Sequence, residues 1–167
     1  NADGSQVDAC GNATRCVADL VMAEKAHSTA NIGTGAGLLT AEEFTNGMVA
    51  VDMGRPRFGW QDIPLSSEQD TLHLDIENWT LQDPTAVSMG NPHCVIQVDD
   101  IDSIPLEFVG PPIENHVAFP NRVNVEFIEV VDRSRIRQRT FERGTGETLA
   151  CGSGACAVGV TSMLRDV

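Results

Sequence analysis

Lysine is nearly absent. Lys25 is the single lysine among eleven basic residues, against twenty-four acidic ones, and the formal net charge is −13. So acidic a chain is a poor partner for nucleic acid or an anionic membrane, and neither is expected. The one cationic cluster, "RSRIRQR" at 133–139, has arginine at every second position, which puts all four on one face of a strand. A solvated or domain-facing strand surface fits that spacing better than a phosphate-binding patch. Long apolar runs are missing too, none approaching the roughly 20 residues that span a bilayer. The five cysteines, at 10, 16, 94, 151 and 156, form no C-x-x-C pairs. That argues against structural zinc and against a thiol redox protein. His27, His73, His93 and His116 show no ligand spacing, so no metal is expected. An odd cysteine count also fits a secreted disulfide framework badly, and reduced, cytoplasmic thiols are the expectation.

What is present is a globular composition, 41% hydrophobic and 21% charged, long enough for one medium domain or two small ones. Two helices are predicted, one over about 12–27 and one starting near Gly154. The second has almost no charged face before Arg165 and is expected to be buried. "MVAVDM" (48–53), "TLHLDI" (71–76), "HCVIQV" (93–98) and "RVNVEFIEVV" (122–131) read as strands. Turn signals stand at 53–59, 83–84, 110–112 ("GPP") and 119–121. The class is α+β, with two related units divided in the 54–64 region, taken as 1–57 and 58–167.

The relation between the units lies in two short segments. "DACGNATRCV" (8–17) and "LACGSGACAV" (149–158) align on Cys10 and Cys151, share Ala-Cys-Gly and meet again at Val17 and Val158. Asn1 and Glu142, nine positions upstream, are both polar groups able to accept a hydrogen bond. A cysteine just before a helix meets the free N–H groups and positive dipole end of the first turn, which favour a thiolate. The same amides, at Gly11–Asn12 and Gly152–Ser153, can hold a carboxylate. Two such units packed about a pseudo-twofold axis would set two thiols against opposite faces of one carbon. Proton removal from one face and return to the other is racemase or epimerase chemistry. Pyridoxal phosphate would need a Schiff-base lysine, and Lys25 sits inside the first helix, so no cofactor is expected.

The blocks "NADGSQVDACGNATRC", "AVSMGNPHCVIQVDD", "RVNVEFIEV" and "ERGTGETLACGSGACA" together resemble diaminopimelate epimerase. The resemblance implies a cofactor-independent isomerase acting on LL- and meso-diaminopimelate, in lysine and cell-wall precursor synthesis. It implies two pseudo-symmetric domains, each a β-barrel-like sheet around a central helix, with the active site in the cleft between them. By the same resemblance, Cys10 is the donor thiol and Cys151 the abstracting thiolate, exchanging roles in reverse. Gly11, Asn12, Gly152 and Ser153 would hold the reacting carboxylate. Asn1, Asn91, Asn124, Glu142 and Arg143 would hold the rest of the substrate, and His93 and Glu142 would tune the two cysteines. A homodimer is implied on this ground alone. Ala13 stands where the family has a second glycine, and the match covers the middle of the family's chain, without its opening strands or those beyond the second helix.

Without the motif, His93 would read as an ordinary satisfied histidine, Asn91 as a turn residue before Pro92, and Cys16, Cys94 and Cys156 as small buried hydrophobes. A disulfide between Cys10 and Cys151 is a further reading. The rival functions are a proline racemase or hydroxyproline epimerase, and a non-catalytic anion-binding module. "GNPH" with "ERGTGETLACGSG" favours diaminopimelate over proline. Retention of both cysteines disfavours a degenerate module.

Overall fold

The computed structural model describes residues 10–76 and 83–167. Asn1, proposed above as a substrate ligand, lies outside the described residues. Helix α1 (Gly11–Lys25) is followed by strands β1 (Thr29–Thr34), β2 (Gly37–Glu43) and β3 (Val49–Asp52), which form one antiparallel sheet in sequence order. After an irregular stretch come β4 (Thr85–Ser88), β5 (Pro92–Gln97), helix α2 (Leu106–Glu114), β6 (Asn124–Asp132), β7 (Arg135–Glu142), β8 (Gly146–Thr148) and helix α3 (Gly152–Arg165). These strands form a second sheet, also in sequence order. Its one parallel pairing, β5 with β6, is the crossover that carries α2. The chain is thus α+β, and each of its two sheets carries a helix that begins directly after a cysteine.

Burial explains the strand patterns. In β5 and the first half of β6 (residues 124–128) nearly every residue is buried, because the second sheet is covered there on both faces. One face packs Cys94, Ile96, Val125, Phe127 and Phe141 against Leu106 and Ile113 of α2 and against Ile63, Leu65, Leu74 and Ile76 of the irregular stretch. The other packs Val87, Val95 and Ile128 against Ala157 and Val158 of α3. The first sheet is covered more lightly, by Ala18 and Met22 of α1 on Ala30 and Ala41.

Several expectations change in the folded chain. "TLHLDI" forms no regular strand; Thr71 and Leu74 instead exchange backbone bonds with Ala86 and Pro84, and Thr85 Oγ1 donates to the Leu72 carbonyl. "GPP" is no turn. Pro111 and Pro112 lie inside α2, whose first turn is closed by Val109 N–H to Pro105 O and whose end is held by Asn115 backbone and side chain on Pro111 O. The two prolines remove two internal donors, and burial of Leu106, Gly110 and Ile113 offsets the loss. Of the four clustered arginines, Arg133 falls in the turn before β7 and Arg135, Arg137 and Arg139 lie on it. Arg137 pairs with Asp102 and Glu129, and Arg139 with Glu147 and two backbone carbonyls. That face is neutralised from within. Helix α3 is not fully buried: Ser153, Gly154, Ala157, Val158, Thr161 and Ser162 pack inward, while Met163 and Leu164 are exposed, since only one sheet face covers it among the described residues. On α1, Val17 and Leu20 are likewise exposed.

Gly110 gives a direct test of this packing. A Cβ built there would lie 2.5 Å from the Phe141 ring, which is itself held in the core. Gly110→Ala is expected to lower stability by about 1–2 kcal/mol, overpacking outweighing the better helix propensity. A thermal melt should show a drop of a few degrees.

Candidate active site

The two cysteines occupy equivalent positions. Cys10 is the N-cap of α1 and Cys151 the N-cap of α3, both with extended backbone (φ −145° and −128°). Each carbonyl closes the first helical turn, Cys10 O accepting from Thr14 N–H and Cys151 O from Ala155 N–H. The two helix starts abut. A Cβ on Gly152 would stand 3.6 Å from the Gly11 Cα, and one on Gly11 3.5 Å from the Gly152 Cα. The Asn12 side chain ties the junction by donating to the Ala150 carbonyl at 3.1 Å.

Around this junction lies a small, partly open cleft of about 60 Å³. Cys10, Gly11 and Asn12 line it from α1, Cys151, Gly152 and Ser153 from α3, and Asn91, Asn124, Glu142 and Arg143 from the second sheet and its turns. Every described residue that the sequence reading singled out reaches this cleft except His93. The imidazole is fully buried one layer behind, with Nε2 3.0 Å from Asn91 Oδ1 and Nδ1 2.8 Å from Glu126 Oε1.

The polar groups are fixed from below. Asn124 donates to the Pro92 carbonyl at 2.8 Å and accepts from the Arg143 N–H at 3.0 Å, so it joins β5 to the turn after β7. The Arg143 guanidinium donates to Asn121 O. Glu142 Oε1 accepts from Thr148 Oγ1 at 2.6 Å. Glu114, buried at the end of α2, accepts from Gly144 N–H at 2.7 Å and pairs with Arg122, holding the same turn from behind. Asn91 donates to Ser153 Oγ, which lies 3.5 Å from Cys151 Sγ.

Burial pushes the Cys151 thiol up to about 11, with the Glu126 and Glu142 carboxylates adding to the rise; the Ser153 hydroxyl and Gly154 N–H pull it down. In the empty site Cys151 is therefore a thiol at neutral pH. Its alkylation by iodoacetamide should be slower than that of an ordinary cysteine at pH 7.5 and climb steeply between pH 9 and 11, because only the thiolate reacts. Peptide mapping by mass spectrometry reads this out residue by residue. All five cysteines are free. Cys94 is buried, as a small hydrophobe would be, but Cys156 is only half-buried and Cys16 is exposed. Among the described residues no cluster of His, Cys, Asp or Glu could hold a metal ion, and no helix is long and apolar enough to cross a membrane.

Glu126, Thr148 and Glu114 escaped the sequence reading. A signal existed for the first: in "VNVEF" a glutamate stands between the apolar Val125 and Phe127 of a buried strand segment. For Thr148 and Glu114 no local pattern marks the contact.

The model describing diaminopimelate epimerase matches residues 85–167, which include β4 to α3 and Cys151. The first unit is carried by whole-chain relatives. A diaminopimelate epimerase of Acidiphilium cryptum is 50% identical over the whole of this chain and 60% of its own length. Over its whole length the chain is similar to diaminopimelate epimerases. A diaminopimelate epimerase of Afipia carboxidovorans is 49% identical over 97% of this chain and 58% of its own length. One from a Wolbachia of Brugia malayi is 47% identical over 99% and 64%. The chain thus spans about three-fifths of the length of these epimerases. A crystal structure of a Bacillus anthracis phenazine biosynthesis protein of the PhzF family covers 95% of the chain with a TM-score of 0.57 at 18% identity, a likeness of fold.

Proposed function

We propose that the full-length protein interconverts LL- and meso-diaminopimelate by moving a proton between opposite faces of one Cα, with Cys10 and Cys151 as the two catalytic residues. One observation carries this reading: two cysteines occupy the N-cap positions of two helices whose first turns abut and open on one cleft. The N–H groups at Gly11–Asn12 and Gly152–Ser153 would grip the reacting carboxylate and stabilise the enolate-like charge as the proton leaves. The thiolate on one side takes the Cα proton, and the thiol on the other delivers its own to the opposite face. One proton leaves and one arrives, and the roles reverse for the reverse reaction. The α-ammonium of an arriving substrate brings positive charge beside Cys151 and favours the thiolate that the empty site disfavours. Glu142 and Arg143 would complement the far ammonium and carboxylate, with Asn91, Asn124 and Asn1 as further ligands.

Residues 1–57 would then belong to one epimerase domain and 58–167 to the other, each completed by longer sequence into a barrel-like sheet around its helix. The reaction needs no cofactor or metal, and a cytoplasmic homodimer serving lysine and peptidoglycan precursor synthesis accompanies this reading. The test is NMR of LL-diaminopimelate with the full-length protein in deuterated, reducing buffer, with proline and hydroxyproline alongside. Loss of the α-proton signal with growth of the meso isomer is the expected result. Exchange on proline alone, or on none of the three, would sink it.

A further inference from the structure

Alternation along β6 places Glu126 on the same face as Asn124 and Ile128, beneath the first turn of α3. The side chain is fully buried, and so is that of its partner His93. An amide oxygen has no proton to give, so the 3.0 Å contact between His93 Nε2 and Asn91 Oδ1 requires a proton on Nε2. The 2.8 Å contact between Nδ1 and Glu126 Oε1 requires a second. The two side chains thus form one buried, hydrogen-bonded unit. Glu126 Oε2 has no hydrogen-bond partner among the described residues. A buried carboxyl with an orphan oxygen weakens a fold that an apolar side chain would serve better.

The position of that carboxyl is specific. A Cβ on Gly154 would fall 2.7 Å from Glu126 Oε1 and 3.2 Å from the Cys151 Cβ, so the carboxyl is packed directly against the turn that carries the thiol. The Gly154 N–H is itself bonded to Cys151 Sγ at 3.4 Å. From Glu126 a continuous chain of contacts runs through His93, Asn91 and Ser153 to the same sulfur.

We propose that Glu126 is a positioning residue for the reaction: through His93 and Asn91 it fixes Ser153 against Cys151, and its carboxyl sets the electrostatic balance under α3. The catalytic half of this statement rests on the epimerase reading above. The ionisable and charged groups facing the arrangement are His93 and Cys94 from β5, Glu142 and Arg143 from the end of β7 and its turn, Cys151 from α3 and Cys10 across the cleft. Glu126 raises both Cys94 and Cys151, so neutralising it favours the thiolate.

The test uses the full-length protein and the isosteric Glu126→Gln. Expected is an alkylation profile of Cys151 displaced to lower pH, with labelling at pH 8 roughly tenfold faster than in the parent. A kcat about tenfold lower with KM within about twofold should accompany it, because Glu126 does not line the cleft. Glu126→Asp, which keeps the charge but withdraws it from His93, should restore the alkylation profile and leave kcat low. An unmoved alkylation profile in Glu126→Gln overturns the proposal. A moved profile with unaltered kcat overturns the positioning role. Alkylation needs no turnover, so if the parent fails to act on diaminopimelate, the epimerase reading falls while the electrostatic effect of Glu126 is still decided.

Discussion

Replacing Cys10 by alanine in the full-length protein is expected to lower the rate of diaminopimelate epimerisation by about a thousandfold or more, and Cys151→Ala should do the same. A single positioned proton-transfer group contributes roughly 10² to 10⁴ in rate. In a two-base reaction each thiol is indispensable in both directions, since one must take the proton and the other return it. The loss should fall on kcat. On the proposed reading the carboxylate is gripped by backbone N–H groups of both helices, which alanine leaves in place, so calorimetry should find ligand affinity within a few-fold of the parent. Alanine at either cap is also mild for the fold: Cys10 makes no side-chain capping bond, and Cys151 only the long one to Gly154. A variant that kept a tenth of parental turnover would rule out that thiol as an obligatory base.

The second large effect concerns Gly152. Its backbone has no positive φ, so its reason is not conformational freedom; it is the close approach of α3 to Gly11 of α1. A single methyl fits, since the built Cβ stands at ordinary contact distance, 3.6 Å, from the Gly11 Cα. The branched side chain of valine does not fit and must wedge the helix starts apart. A displacement of about 1 Å at a reacting centre can cost roughly a hundredfold. Gly152→Val is therefore expected to lose about a hundredfold in kcat/KM, against a few-fold for Gly152→Ala, with melting temperatures close to the parent because the junction lies at the surface of the cleft. Steady-state kinetics of the two variants checks this, and equal losses would show that the spacing of the helices is not what matters.

The local devices of this protein were legible in its residues. Cysteine followed by glycine and a helical run marked both helix starts to within one or two positions. Alternation and apolar content marked β5 and β6. The motifs that carry the family resemblance also named the residues that line the cleft, Asn1 lying outside the described residues. What escaped depends on neighbours distant in the chain. Pro111 and Pro112 read as a turn by every local rule, yet Gly110 beside them lets the Phe141 ring from β7 dock on α2, and that burial carries the helix through. "TLHLDI" has strand alternation but bonds irregularly around Pro84 and Ala86. The apolar face of α3 is half-exposed because a helix is buried only as far as something covers it.

The chemistry divides along the same line. Sequence by itself determined that two thiols sit at two helix N-termini, because capping position and small flanking residues are properties of a few consecutive residues. Tertiary structure alone decided that the two termini meet at Gly11 and Gly152, and that Asn91 from the turn before β5, Asn124 from β6 and Glu142 from β7 are drawn to one cleft. It alone decided that a glutamate in the middle of β6 hydrogen-bonds His93 beneath the first turn of α3. Capping is a short-range matter of backbone geometry. The protonation of a buried thiol depends instead on every charge within a few ångströms, and chain folding chooses those neighbours.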